Sequence, residues 1–236
     1  MADRVKKDTR DPREIIATRV AKELKDGDVV NLGIGLPVMV ANCLPEGVEI
    51  VLHSENGLMG MGSAAQKGSE DIDITNAGAG FVTMEPFAMC FDSATSFGLI
   101  RGSHVDATVL GALEVDEKGN VANWIVPGKF VPGMGGAMDL VVGAKKVIIS
   151  MMHTQVVKDK EAGEIKRIDK KLMKECKLPL TAVGVVDMIV TEMGVIEITD
   201  EGFLLRELHP DFTVEDVRAA TDADVIVHDD LKQMEI

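Results

Sequence analysis

The sequence predicts an α/β fold: a single open, largely parallel sheet flanked by helices and extended by antiparallel hairpins. Three observations carry that expectation. A strand, a glycine turn, a helix start and a second strand follow one another between residues 28 and 53. Later apolar segments are short and lack strict alternation, as in parallel strands covered on both faces. Two further segments reverse at turns rich in Asp, Glu and Gly, which reads as hairpins. The rhythm runs the length of the chain, so residues 1–236 are taken as one domain, a size that α/β architectures reach as a unit.

The elements follow in order. Asp11-Pro12-Arg13-Glu14 offers an N-cap, a proline at the first helical position and an acid placed for a capping box. Ile16, Val20 and Leu24, with Ala17 and Ala21 beside them, repeat every four residues and define one buried face, and Gly27 supplies the stop. Asp28 to Leu32 reads as a strand, Gly33-Ile34-Gly35 as a turn, Pro37 as a helix start and Val48 to His53 as a second strand. Buried strands are expected at Ala107 to Leu110, Val147 to Met151 and Val225 to His228. Hairpins are expected over Leu113 to Val126, turning at Asp116 to Asn120, and over Val195 to Leu208, turning at Asp200-Glu201-Gly202. Between them, Lys158 to Lys177 is charged and aperiodic and reads as an exposed excursion. Thr213-Val214-Glu215-Asp216 caps a last helix.

Composition excludes several classes of function. Formal charge is −14 and Lys or Arg never cluster beyond a pair, so a nucleic acid or an anionic membrane surface would meet repulsion. Aromatic residues make up 3% with no Tyr, which leaves too few stacking platforms for bases or sugars. Cys43, Cys90 and Cys176 are odd in number and far apart, which fits buried free thiols in a reducing cytoplasm. The polar stretch Met1 to Arg10 lacks the apolar region of a secretion signal, and no run of about 18 apolar residues occurs, so a cytoplasmic location is expected.

The common cofactor motifs also fail. Gly-x-Gly occurs at Gly33, Gly78 and Gly133, but Val38, Thr83 and Met138 stand where a dinucleotide fingerprint needs its third glycine. Gly128-Lys129 is followed by Phe130, and Asn123 replaces the first glycine of a P-loop. His53, His104, His153, His209 and His228 lack metal-ligand spacing, and no Gly-x-Ser-x-Gly elbow exists. No metal and no tightly bound cofactor is expected.

Two segments remain. Val51 to Gly62 runs an apolar strand into Ser54-Glu55-Asn56-Gly57. Ligands in open α/β sheets gather beyond the carboxyl ends of strands, so Glu55 falls at the functional edge. The alternative is an acid in a wet glycine turn. Val131 to Val142 places Gly133, Gly135 and Gly136 before a helix, where outward N–H groups suit an oxyanion. Equally, those glycines can serve tight packing alone.

Together with Asn31-Leu32-Gly33-Ile34-Gly35-Leu36-Pro37, the Leu52 to Gly57 and Gly133 to Asp139 stretches resemble the family I coenzyme A transferases, specifically their β subunit as in 3-oxoacid and acetate/butyrate–acetoacetate CoA-transferases. Ala122-Asn123-Trp124, Pro127-Gly128-Lys129 and Cys176 to Thr181 extend the likeness over nearly the whole chain. The resemblance implies a CoA-transferase-like fold and makes Glu55 the nucleophile. It places oxyanion amides at Gly136 and Ala137, an active-site asparagine at Asn31, and substrate or CoA contacts at Gly33, Gly35, Asn56 and Gly135.

An ionised carboxylate needs no general base, only positioning and desolvation. In the implied chemistry CoA moves between a short-chain acyl-CoA or 3-oxoacyl-CoA and an acid such as acetoacetate, acetate, butyrate or succinate, through a γ-glutamyl-CoA thioester. CoA is a substrate, not a resident cofactor. Since the family site lies between two similar halves, the resemblance implies a separate α subunit and a hetero-oligomer of α2β2 type. The alternatives are an acyl-CoA hydrolase and a non-catalytic acyl-CoA-binding module; intact Ser54-Glu55-Asn56-Gly57 argues against the latter. Two departures bear on acyl specificity: Ala79 follows Asn76-Ala77-Gly78 where many relatives carry lysine, and Met152 precedes His153 where they often carry glutamate.

Overall fold

The computed structural model describes residues 8–126, 128, 131, 133–158 and 164–236. Residues 1–7 of the polar leader, Pro127 and Lys129 of one likeness, Phe130, Pro132, and 159–163 of the charged excursion lie outside the described residues.

Helix α1 (Pro12–Ala21) is capped by Asp11, whose side chain accepts from the Arg13 N–H at 2.9 Å. The chain then crosses to β1 (Val29–Leu32), a 3₁₀ segment (Leu36–Asn42), β2 (Val51–Ser54), β3 (Leu58–Ala64) and β4 (Val82–Cys90). Helix α2 (Ser93–Arg101) leads to β5 (Ala107–Leu110), then the short β6 (Glu114–Asp116) and β7 (Val121–Ala122). Helix α3 (Ala137–Gly143) precedes β8 (Val147–Ser150), β9 (Thr154–Lys158), β10 (Ile165–Lys170), β11 (Leu172–Met173), β12 (Met188–Val190), β13 (Gly194–Thr199) and β14 (Gly202–Leu208). Helix α4 (Val214–Ala220) and β15 (Val225–Gln233) end the order.

A ten-stranded sheet runs β15-β14-β13-β12-β8-β5-β1-β2-β3-β4. Its centre, from β12 through β8, β5 and β1 to β2, is wholly parallel, and antiparallel hairpins β2–β3–β4 and β13–β14 extend it on either side. This is the α/β sheet that the sequence predicts. A three-stranded sheet, β11-β6-β7, and the β9–β10 hairpin complete the strands. Both faces of the large sheet are covered. One carries Ile16, Val20 and Leu24 of the α1 segment against Val30, Val109, Ile148 and Val190. The other packs Ile100, Leu140 and Val217 of α2, α3 and α4 against Leu110, Ile149, Ile189 and Phe203. Coverage on both faces explains why β5 and β8 read as unbroken apolar runs.

Several boundaries differ from expectation for identifiable reasons. Helix α1 stops at Ala21, not at Gly27, because Lys22, Glu23 and Leu24 bond to carbonyls three residues back and the last turn tightens. Gly27, with φ +82°, instead serves the turn into β1. The Glu14 side chain makes no return bond to the Asp11 N–H among the described residues, whereas the capping box at Thr213 and Asp216 is complete. The second strand begins at Val51, since Val48 closes a turn onto the Pro45 carbonyl. The hairpin expected over residues 113–126 forms only as β6–β7, and it belongs to the small sheet.

The charged excursion contains strands β10 and β11, and Leu172 and Met173 are buried, Leu172 within the core on the face covered by α2, α3 and α4. The cysteines are not buried as expected. Cys90 lies exposed on β4, the outermost strand, and Cys43 and Cys176 are half-buried. Burial, with Asp116 and Glu114 nearby, pushes the Cys176 thiol up to about 12, which makes it inert at neutral pH.

A buried polar cluster in the core is built around His153. Its ring is fully buried between Thr191 Oγ1 and Thr221 Oγ1, each at 3.0 Å, and burial, aided by Lys171, lowers its pKa from 6.5 to about 4. The unfolded chain takes up this proton near pH 6.5, while the folded chain resists until about pH 4. Stability is therefore fully present above pH 6.5 and falls by roughly 3 kcal/mol between those limits through this group. Urea unfolding of the full chain at pH 7 and pH 4.5 should show a larger loss for the wild type than for His153→Gln. Equal losses in the two proteins would remove His153 as the cause.

Candidate active site

Residues Asn31 and His53 are direct partners across the parallel pair β1–β2. The Asn31 side chain therefore reaches along the neighbouring strand: Nδ2 donates to the His53 carbonyl at 3.1 Å and to Glu55 Oε2 at 3.1 Å. Glu55 is the first residue beyond β2 and begins the reversal Glu55-Asn56-Gly57 into β3. Gly57 makes this reversal possible. Its φ is +120°, and a Cβ there would collide with the Phe91 carbonyl oxygen.

The opposite side of the carboxylate faces Gly136, the N-cap of α3. A Cβ on Gly136 would stand 2.8 Å from Glu55 Cγ and 3.0 Å from Oε1, so glycine is what lets the loop approach. Glu55 is thus held between an amide donor on β1 and the start of α3. Behind it, the imidazole of His53 is buried, 3.0 Å from Ser96 Oγ and stacked beside Phe91. Burial lowers its pKa, although the Glu55 charge pulls the other way, so His53 stands neutral behind the carboxylate.

These groups open onto a cleft of about 2090 Å³. Of the residues singled out from sequence, Asn31, Gly33, Glu55, Gly135, Gly136 and Ala137 all line it. Gly33 fits tightly: its N–H bonds to the Val109 carbonyl at 2.8 Å, and a Cβ would meet the Leu110 side chain at 2.9 Å. Gly35 and Asn56 are not among the lining residues. Gly35, φ +92°, shapes the turn into the 3₁₀ segment, and the Asn56 amide is committed to the Thr75 carbonyl at 2.7 Å. The Ala137 N–H is directed to the Met134 carbonyl at 3.2 Å, while the Gly136 α-carbon is what lies against the carboxylate.

The loop between β3 and β4, which holds the Asn76-Ala77-Gly78-Ala79 stretch that the resemblance ties to acyl specificity, borders the site. Its residues Asn76, Ala77, Gly78, Gly80 and Phe81 form part of the cleft wall, together with Met59, Met61 and Met89 from the strands themselves. Ala77 donates to Ser54 Oγ at 2.9 Å, a contact across 23 residues that no local pattern announces. Among the described residues no His, Cys, Asp or Glu cluster is gathered as for a metal ion.

The coenzyme A transferase family model matches residues 13–220. The beta chain of the acetate CoA-transferase of Haemophilus influenzae is 50% identical over 224 residues, covering 95% of this chain and 96% of its own. The corresponding chain of the succinyl-CoA:3-ketoacid coenzyme A transferase of Helicobacter pylori strain J99 is 47% identical over 92% of this chain and 99% of its own. A mouse mitochondrial succinyl-CoA:3-ketoacid coenzyme A transferase, 2B, is 41% identical over 97% of this chain, which matches only 42% of that longer protein. Among solved structures, an acyl-CoA transferase apoenzyme of Escherichia coli O157:H7 shares the fold at TM-score 0.72 and 24% identity; this chain covers 43% of it.

The approach of Gly136 to Glu55 is directly testable. Gly136 has φ −73°, so alanine is conformationally acceptable there and the fold should persist. Its methyl group should nonetheless push the Glu55 side chain off Asn31. A crystal structure of Gly136→Ala with the 3.1 Å Asn31–Glu55 contact unchanged would contradict the described packing.

Proposed function

The chain belongs to the coenzyme A transferase family and is the β subunit of such an enzyme, and we propose that it moves CoA between an acyl-CoA and a carboxylic acid by way of a glutamyl-CoA thioester on Glu55. One observation carries this reading: a carboxylate stands at the carboxyl end of a parallel strand, held by the Asn31 amide on one side and closed against Gly136 on the other, within a large cleft. That is the position from which open α/β sheets present reacting groups.

The proposed steps balance without any cofactor. Glu55 attacks the thioester carbonyl; the tetrahedral oxyanion collapses, breaks the C–S bond and leaves a mixed anhydride with free CoA thiolate. The thiolate then attacks the glutamyl carbonyl, forms the glutamyl-CoA thioester and releases the donor carboxylate. An acceptor carboxylate reverses both steps and regains the thioester. Asn31 orients the attacking carboxylate. The Gly136 N–H, at the positive end of α3, is assigned to the oxyanion. Ala137 joins it only by sharing the proton it gives to Met134. Gly33, Gly35 and Gly135 shape the backbone approach to substrate, and Asn56 acts beside the nucleophile.

We assign the acids to the short-chain class, acetate, butyrate, acetoacetate or succinate, which spans the substrates named for the relatives. The single domain is assigned an α-subunit partner in a cytoplasmic hetero-oligomer of α2β2 type. Longer relatives that carry the equivalent of this chain as 42–43% of their length support a second half across the cleft. No helix among the described residues is long and apolar enough to cross a membrane.

Glu55→Gln should reduce transfer to the uncatalysed level in the αβ complex while leaving the fold intact. Incubating the wild-type complex with acyl-CoA and then borohydride should reduce the glutamyl thioester and change the mass of the peptide bearing Glu55. Label on another residue, or full activity in the Gln variant, sinks the assignment. The purified chain alone should show no turnover until an α subunit is added; robust turnover by this polypeptide by itself would contradict the partner.

A further inference from the structure

We propose that Ser54 and Asn56, the two neighbours of Glu55, are positioning residues that lock the 75–81 loop to the turn bearing the carboxylate, so that this loop decides how an acyl group meets Glu55. The proposal rests on the CoA-transferase reading of the site and deepens it. The loop is a small, over-determined reversal. Thr75 and Phe81 form a β-bridge, Asn76 N bonds to the Gly80 carbonyl at 2.9 Å, and Ala79 N returns to the Asn76 carbonyl at 2.9 Å. The Asn76 side-chain oxygen accepts from both the Gly78 N–H at 3.0 Å and the Gly80 N–H at 2.9 Å. Within this frame Ala79 adopts φ +60°, a conformation that a non-glycine residue keeps only where its surroundings impose it.

Such a rigid unit is tied to the body of the protein at points that flank the carboxylate. Ser54, buried and immediately before Glu55, accepts from the Ala77 N–H at 2.9 Å. Asn56, exposed and immediately after it, donates Nδ2 to the Thr75 carbonyl at 2.7 Å. Gly78 also lies close to Ile34, since a Cβ added there would stand 3.2 Å from Ile34 Cδ1. Asn31 and Gly136 already account for the Glu55 contacts, and the two flanking side chains spend their polar atoms on the loop. The nucleophile and one wall of its cleft therefore move as one body. Reacting atoms must meet within about 3–3.5 Å and in line, and a displacement near 1 Å can cost about a hundredfold in rate, so this coupling acts on the chemical step.

The test uses the αβ complex with acetyl-CoA and butyryl-CoA as donors, and Asn56→Ala, Asn56→Asp and Ser54→Ala as variants. Asp at 56 keeps the shape and loses the donor. Both Asn56 variants should melt with the wild type because the side chain is exposed, yet lose about 10- to 100-fold in kcat with KM little changed. The ratio of acetyl to butyryl rates should also move, since a slackened wall no longer gauges chain length. Combining Asn56→Ala with Ser54→Ala should add little to the worse single loss, because both ties hold one loop. Wild-type kcat in Asn56→Ala, or an acyl-length ratio unaltered in both Asn56 variants, overturns the proposal. Should Ser54→Ala fail to fold, the Asn56 pair decides alone. Absence of CoA transfer by the wild-type complex rejects the functional reading instead, and the two failures are thereby told apart.

Discussion

Parallel pairing of β1 with β2, in the register that sets Asn31 opposite His53, is the constraint from which the site follows. A shift of one residue would turn Asn31 to the other face of the sheet and leave the carboxylate without its amide. The register is in turn enforced by burial. Val30 packs with the α1 core on one face, and the two layers of helices leave no solvent-facing side toward which the central strands could slip. Carboxyl ends of parallel strands point one way, so the ends of β1, β2 and β5 bring Gly33, Glu55 and Gly111 to a common rim. The fold thereby builds the cleft before any specific chemistry is added.

What holds the carboxylate is as informative as where it lies. Charged residues lining the cleft, among those described, are the acids Asp26, Glu49, Glu55 and Glu85. Glu55 is thus oriented by a neutral amide, with a neutral imidazole behind it and the N-terminal end of α3 at its side. A guanidinium in the same place would form a strong paired bond with the carboxylate. For the proposed nucleophile, neutral dipoles fix direction at smaller loss of nucleophilicity, and they need no reorganisation when charge migrates to a new oxygen.

Local physics was legible in the sequence where one segment settles its own conformation. β5 is bounded as its apolar run suggests, Thr213 caps α4 with a complete box, and Asp11 caps α1. Glu55 could be located because a strand end and a glycine reversal are both local facts. Features made by distant residues were not legible. Arg19 sits buried on the apolar side of α1, satisfied by a bidentate pair with Glu207 at 2.6 and 2.7 Å across 188 residues. Leu172 and Met173 hide in a charged stretch because their partners lie on β6. Strand β4 escaped notice because both of its faces are largely exposed and Pro86 interrupts it, so neither alternation nor an apolar run marks it. The Ser54 and Asn56 bonds to the 75–81 loop belong with these, for the loop begins about twenty residues away.

The reversal that carries Glu55 leaves no idle position. Ser54 anchors a wall, Glu55 faces the cleft, Asn56 anchors the same wall again, and Gly57 supplies a backbone angle and a clearance that a side chain would deny. An insertion or deletion of a single residue here would misassign every one of those duties at once. Four adjacent letters consequently behave as an indivisible word, whereas the oxyanion amide proposed at Gly136, being backbone, can be spelled in more ways. This difference in compression explains why one part of the site announces itself in a linear text and the other has to be found in space.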